Sequence, residues 1–350
     1  MDWIEHLSDT NWFLLVSALK CLGAFAVLMF IVAYIVLVER KLCAAIQDRI
    51  GPNRAWPFGL LQPAADAVKA FLKEDFMPRH VRPVYYWLAP AIVMVPSLLT
   101  IAVIPFGSRL GTNPMVIADL NVGILYTFGI VSLGVYGIVL AGYAANSKYP
   151  FMGGIRSSAQ LISYEVAMGL SVVPVFLLVG DLNLSAVIGH QATGLFSWLV
   201  FQQPLAFAIF LAAAFAETNR LPFDLPEAEQ ELAGGYNVEY SSIKFALFFM
   251  GEYANMTAAS AMMVTLFFGG WTLPWFGLNQ PAQPGEWLKG LLHVSIFLAK
   301  VLTFLVLFIW VRWMWPRFRY DQLMNLGWKR FVPLALANLV LTAAWLWWRA

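Results

Sequence analysis

Eight apolar runs, near 12–38, 84–105, 122–144, 160–180, 198–216, 243–268, 291–315 and 331–348, take up most of this chain. About 20 residues at 1.5 Å rise cross a hydrocarbon core ~30 Å thick, so each run is long enough to span a bilayer. In lipid every backbone N–H and C=O must find its partner inside its own segment, and helix is the only open-ended structure that achieves this. The expected fold is therefore all-α: a polytopic integral membrane protein with about eight transmembrane helices, one membrane domain over 1–350. A composition that is 60% hydrophobic and 12% charged agrees. The first run has no Lys or Arg ahead of it and is too long for the apolar core of a secretory leader, so it is expected to be a span.

Charge orients the spans. Arg40, Lys41, Arg49, Arg54, Lys69, Lys73, Arg79, Arg82, Lys148, Arg156, Arg220, Arg317, Arg319, Lys329 and Arg330 fall in alternate loops, whereas the other side has Arg109, Lys289 and Arg349. The excess of cations marks the cytoplasmic face and puts both termini outside. A net charge of +2 is too small to suggest a nucleic-acid partner. Cys21 and Cys43 offer neither a disulfide framework nor a cluster-ligating set, and His6, His80, His190 and His293 are scattered. No metal-ligand spacing, phosphate loop or nucleophile elbow is present. If the chain takes part in redox chemistry, the electrons arrive from elsewhere.

Two stretches between spans carry chemistry. The first, 39–83, is a cytoplasmic segment with turn signals at Gly51-Pro52-Asn53 and Trp56-Pro57-Phe58-Gly59. Leu60, Leu61, Ala64, Val68, Phe71 and Leu72 then recur at helical spacing opposite Asp66, Lys69 and Lys73, which predicts an amphipathic helix at the interface. Arg40, Arg49 and Arg54 are fixed cations beside this apolar face. The mixture suits a ligand with an apolar tail and a head that gains negative charge, and it suits lipid headgroups as well. The second stretch, 217–242, holds Glu217, Asp224, Glu227, Glu229, Glu231 and Glu239 against Arg220. A solvated acidic loop is the bland reading of these charges.

Three acids lie inside apolar runs: Glu165, Glu217 and Glu252. A charged side chain at the centre of a transmembrane helix costs about 2.5–3.5 kcal/mol on insertion scales, so such residues face a protein interior or a wet cavity. They are either permanently protonated and hydrogen-bonded to a neighbouring helix, or members of a proton relay. Lys20 and Lys300 sit in spans too, as counter-ions, polar-path members or snorkelling anchors. Pro96 and Pro174 mark kinks, and the glycines of the third run (Gly123, Gly129, Gly134, Gly137, Gly142) suggest close helix packing.

The segments ERKLCAAIQDRIGPNRAWPFGLLQPAADAVKAFLKED, ETNRLPFDLPEAEQELAGGYNVEYSSIKFALFFMGEY and PRFRYDQLMNLGWK closely resemble the H subunits of bacterial NADH:quinone oxidoreductase, respiratory complex I, over nearly the whole chain from Glu39 to Lys329. The resemblance implies a multi-pass subunit of the bacterial inner (plasma) membrane at the junction of the membrane and hydrophilic arms of a proton-translocating enzyme. Quinone is the substrate, while iron–sulfur clusters, FMN and NADH sit on partner subunits. The partners implied are cluster-bearing hydrophilic subunits at the cytoplasmic face, with small membrane subunits and antiporter-like subunits alongside. Carried over by position, Arg40, Arg49, Arg54, Ala64, Asp66, Ala67, Phe71, Phe223 and Asp224 border the quinone chamber. Glu165, Glu217 and Glu252 form the buried acid path, with Glu227, Glu229 and Glu231 as a funnel. Some members carry a further glutamate on the third span where this chain has Ser132. Competing readings are the anchor subunit of a related membrane-bound hydrogenase, a stand-alone proton-coupled transporter, and a purely structural anchor whose acids only dock a redox module.

Overall fold

The apolar runs fold as helices in a computed structural model that describes residues 2–111, 113–225, 234–275 and 277–349. In chain order the helices are α1 (Asp2–Ile46), α2 (Gln62–Leu72), α3 (Pro83–Leu99), α4 (Gly123–Ala144), α5 (Lys148–Val179) and α6 (Leu184–Gln191). They continue as α7 (Leu199–Gln202), α8 (Pro204–Glu217), α9 (Ser242–Phe267), α10 (Trp287–Met314), α11 (Tyr320–Leu326) and α12 (Val332–Arg349). A two-stranded antiparallel hairpin, β1 (Arg109–Leu110) and β2 (Asn113–Pro114), is the only sheet among the described residues.

Among the described residues, six helical stretches are long and apolar enough to cross a membrane: Leu14–Ile46, Pro83–Val103, Gly123–Ala144, Lys148–Val179, Trp287–Met314 and Tyr320–Arg349. The other two expected spans differ for separate reasons. The run 198–216 breaks at Gln203-Pro204, because proline opens a new helix there, and α8 keeps 14 residues. That is about 21 Å at 1.5 Å per residue, short of the hydrocarbon core. Buried Gln203 uses the break: its side chain donates to Thr342 (3.0 Å) and accepts from Asn338 (2.9 Å), tying α8 to α12. In contrast, α9 has 26 residues, enough to cross, but Lys244, Glu252 and Asn255 dilute its apolar character.

The helix α9 sits at the centre, packed by α1, α3 and α10, while α4 lies between α3 and α5, and α5 also takes α8 and α12. The glycines of α4 explain part of this order. A Cβ on Gly137 would come within 2.6 Å of Val93 on α3, and one on Gly142 within 2.6 Å of the Pro150 carbonyl on α5. Gly129 and Gly134, expected to pack in the same way, face open space.

Long-range hydrogen bonds tie connecting segments together at two ends of the bundle. At one end Ser242 donates to the Ala70 and Lys73 carbonyls (both 2.9 Å), anchoring α2 across the start of α9, and the Phe318 amide donates to the Pro222 carbonyl (3.1 Å). At the other end the Ala282 amide donates to Ser108, which also bonds buried His293 (2.7 Å). The first end holds the basic loops.

Candidate functional site

The α1 helix does not end at Val38. It runs on to Ile46, because Leu42, Cys43 and Ala44 resume the apolar pattern after the charged triplet Glu39-Arg40-Lys41. This buries Glu39, at 5% exposure. Tyr253 of α9 donates to one of its oxygens (2.5 Å), and the other accepts from Arg220 (3.4 Å) and from Arg312 at the end of α10. The Arg220 guanidinium also lies over the Tyr253 ring, 4.2 Å from its centroid. Burial disfavours the charge on Arg220, but Tyr253, Glu39 and Glu252 outweigh it and hold the guanidinium protonated. Beside this cluster Arg317 donates to Asp224 (2.9 Å). Burial pushes the Asp224 carboxyl above the usual carboxylate range, with Arg317 acting against it.

The turn that presents Arg220 is pinned by Gln160, a fully buried residue of α5. Its amide donates to the carbonyls of Ala216 (2.7 Å) and Phe223 (2.8 Å), and Asn219 adopts φ 51 between them. Phe223 is itself buried, against Phe318 (5.4 Å) and Tyr164 (5.6 Å).

Immediately behind this turn lies a cavity of about 30 Å³, room for a water or two. Glu165 from α5, Glu217 from α8 and Glu252 from α9 all line it, together with Thr218, Asn219, Tyr236 and Asn255. Tyr236 donates to Glu252 (3.3 Å). A second void of about 30 Å³ shares Glu217, Thr218 and Asn255 with the first and continues past Thr100 and Thr127. Glu217 and Asn219 are on the cavity and Arg220 on the guanidinium cluster; Glu252 is on the cavity and Tyr253 on the cluster. Two short backbone segments thus bridge the sites.

The remaining expected residues are more dispersed. Arg40 pairs with Asp66 (2.7 Å), which also accepts from Gln62 (3.0 Å), so α1 and α2 are joined by charge. The Arg49 side chain donates to Gln47 (2.6 Å), and both Arg49 and Arg54 are exposed. Ala64, Ala67 and Phe71 lie on the open face of α2, which has no buried residue in this chain alone. Glu227, Glu229 and Glu231 lie outside the described residues. Ser132 is not on the cavity wall. It donates back to the Gly129 carbonyl (3.1 Å), and Val131, Gly134 and Val135 line the void instead. Lys300 is not beside the acids either: it donates to the carbonyls of Phe268 (2.7 Å), Gly270 (2.9 Å) and Thr272 (2.7 Å) just past the end of α9. Among the described residues no group of three His, Cys, Asp or Glu side chains is placed to hold a metal.

Fold and site together define a polytopic helical membrane protein that keeps titratable side chains in its interior, next to the largely buried Arg220 and its ion-pair partner Glu39. A family model described as NADH dehydrogenase matches residues 19–343. NADH-quinone oxidoreductase subunit 8 of Rhodothermus marinus is 50% identical over 314 residues, covering 88% of this chain and 91% of its own. The H subunit of the NADH-quinone oxidoreductase of Rhodospirillum rubrum is 47% identical over 335 residues, 96% of this chain and 95% of its own. The first of the H subunits of Cytophaga hutchinsonii is 46% identical over 339 residues, 95% and 97%. The chain belongs to the NADH dehydrogenase family.

Proposed function

We propose that this chain is the membrane subunit of a proton-translocating NADH–quinone oxidoreductase, that it borders the quinone chamber, and that its buried glutamates couple quinone reduction to proton movement. The observation that carries the reading is the shared cavity of Glu165, Glu217 and Glu252, one backbone step from the Glu39–Arg220–Tyr253 cluster. The headgroup of a quinone gains negative charge on reduction, and fixed cations with nearby proton donors lower the energy of the reduced forms. In this role Arg40, Arg49, Arg54, Ala64, Asp66, Ala67, Phe71, Phe223 and Asp224 border the chamber, with Glu39, Arg220 and Arg312 at its inner wall. A change of charge there alters the field at Arg220 and Tyr253, and through them the protonation or hydration of Glu217 and Glu252. Glu227, Glu229 and Glu231 extend the path as an acidic funnel.

The redox cofactors of the reaction (FMN, the iron–sulfur clusters and the NADH site) belong on partner subunits at the basic end of the bundle, which faces the cytoplasm in the inner membrane with both termini outside. Antiporter-like and small membrane subunits take lateral faces. The full-length likeness to NADH-quinone oxidoreductase subunits favours this reading over a hydrogenase anchor or a lone transporter. In membranes holding the assembled complex, a photoreactive quinone analogue should label peptides spanning 39–73 and 220–225. Labelling confined to other subunits would remove the chamber from this chain.

A further inference from the structure

A cavity much larger than the acid cavity lies away from the acids, toward the end of the bundle that carries the hairpin. It is a cleft of about 500 Å³ between α1, α10 and the segment 101–115, within the roughly 300–1,000 Å³ range of ligand pockets. Its walls are aliphatic and aromatic: Leu19, Val27, Leu28, Phe106, Phe297 and Val301 among them. Three polar residues touch it, Lys20, Asn113 and Thr257. Thr257 is spent on the Tyr253 carbonyl of its own helix (2.8 Å). The side chains of Lys20 and Asn113 have no partner among the described residues, and the hairpin bearing Asn113 lies at the same end of the bundle as Lys20.

We infer that this cleft binds one phospholipid of the outer leaflet, an acyl chain in the apolar slot and the phosphate on Lys20. Three features fit that occupant. The first is charge: a cation within an apolar helix face matches an anionic group joined to hydrocarbon, and a lysine stem is long enough to bring its ammonium to headgroup depth. The second is length. From Lys20 to Ile31, both on the cleft wall, α1 advances about 16 Å at 1.5 Å per residue, half of a ~30 Å core and so the depth of one leaflet. The third is Trp287, which opens α10 at the polar mouth, where indole rings sit at a membrane interface. The long isoprenoid tail of a quinone would overrun a slot of one leaflet's depth and would leave Lys20 without an anion.

The test uses the assembled complex in vesicles containing phosphatidylglycerol with a diazirine in its acyl chain. After irradiation, peptides covering 16–31 and 294–301 should carry the label. Lys20→Leu should cut that labelling at least fivefold, and Lys20→Arg should restore it. Gly23 lines the cleft and a Cβ there would meet nothing within 4 Å, so Gly23→Phe fills the slot from a different position and should abolish the label with Lys20 intact. Label insensitive to both variants, label seen only with a diazirine quinone, or a neighbouring subunit cross-linked in place of lipid would each overturn the assignment. If a variant fails to assemble, the wild-type peptide map still tests the assignment: label absent from 16–31 and 294–301 overturns it.

Discussion

Glu39 gathers Arg220, Arg312 and Tyr253 onto one buried carboxylate, and each partner comes from a different part of the chain. Removing one member of a buried ion pair leaves the others uncompensated, at a cost of roughly 3–5 kcal/mol in general. Arg220→Leu should therefore cost about 3 kcal/mol, the low end, since Arg312 and Tyr253 still serve Glu39. This would be read as a lower temperature of heat inactivation and less assembled complex, with Arg220→Lys much milder. An unchanged inactivation temperature would mean that the cluster is solvated in the assembly. At this scale the sequence exposed the three membrane acids, because a carboxylate inside an apolar run stands out. It hid Glu39, which sits in the charged triplet Glu39-Arg40-Lys41 and so looked like the start of a loop. The signal available was the return of Leu42, Cys43 and Ala44 at helical spacing just beyond it.

Among the elements, α9 binds everything else, and its two ends are fixed differently. Its start is held by Ser242 on the carbonyls of α2 and by Lys244, which pairs with Asp75 (2.8 Å) and lies over the Trp87 ring at 3.6 Å. Beyond its other end Lys300 meets three carbonyls, as a cation near a helix C-terminus should. Lys300→Met leaves those acceptors without donors, each worth about 1–3 kcal/mol where water is excluded. The variant should lose heat stability by several degrees while the number of protons moved per electron stays the same. A fall in that ratio at unaltered stability would instead put Lys300 on the proton path. Helix positions were legible from hydropathy, whereas the break at Gln203-Pro204 was masked by apolar residues on both sides. The exclusion of Ser132 from the cavity depends on how α4 is rotated, which the glycine pattern alone does not set.

For the whole molecule, the arrangement puts charge handling in the interior and leaves the outer faces to lipid and neighbours. The helix α12 exposes Trp345, Trp347 and Trp348, and the apolar face of α2 (Phe71, Leu72) is uncovered in the isolated chain. Of the residues proposed for the chamber, Arg49, Arg54, Ala64 and Ala67 are exposed in this chain, so charge and hydropathy marked them singly and not as a unit. The acid cavity is lined by three glutamates from this chain's own helices, so it carries the central claim. Glu252→Gln and Glu217→Gln, made separately, keep the size of the side chain and remove its exchangeable proton. In sealed vesicles, with quinone reduction and proton movement followed together, both variants should keep an assembled enzyme and lose proton translocation per electron several-fold. If either moves as many protons per electron as the unaltered enzyme, the residue replaced is not on the coupling path, and if both do, the cavity is a structural feature only.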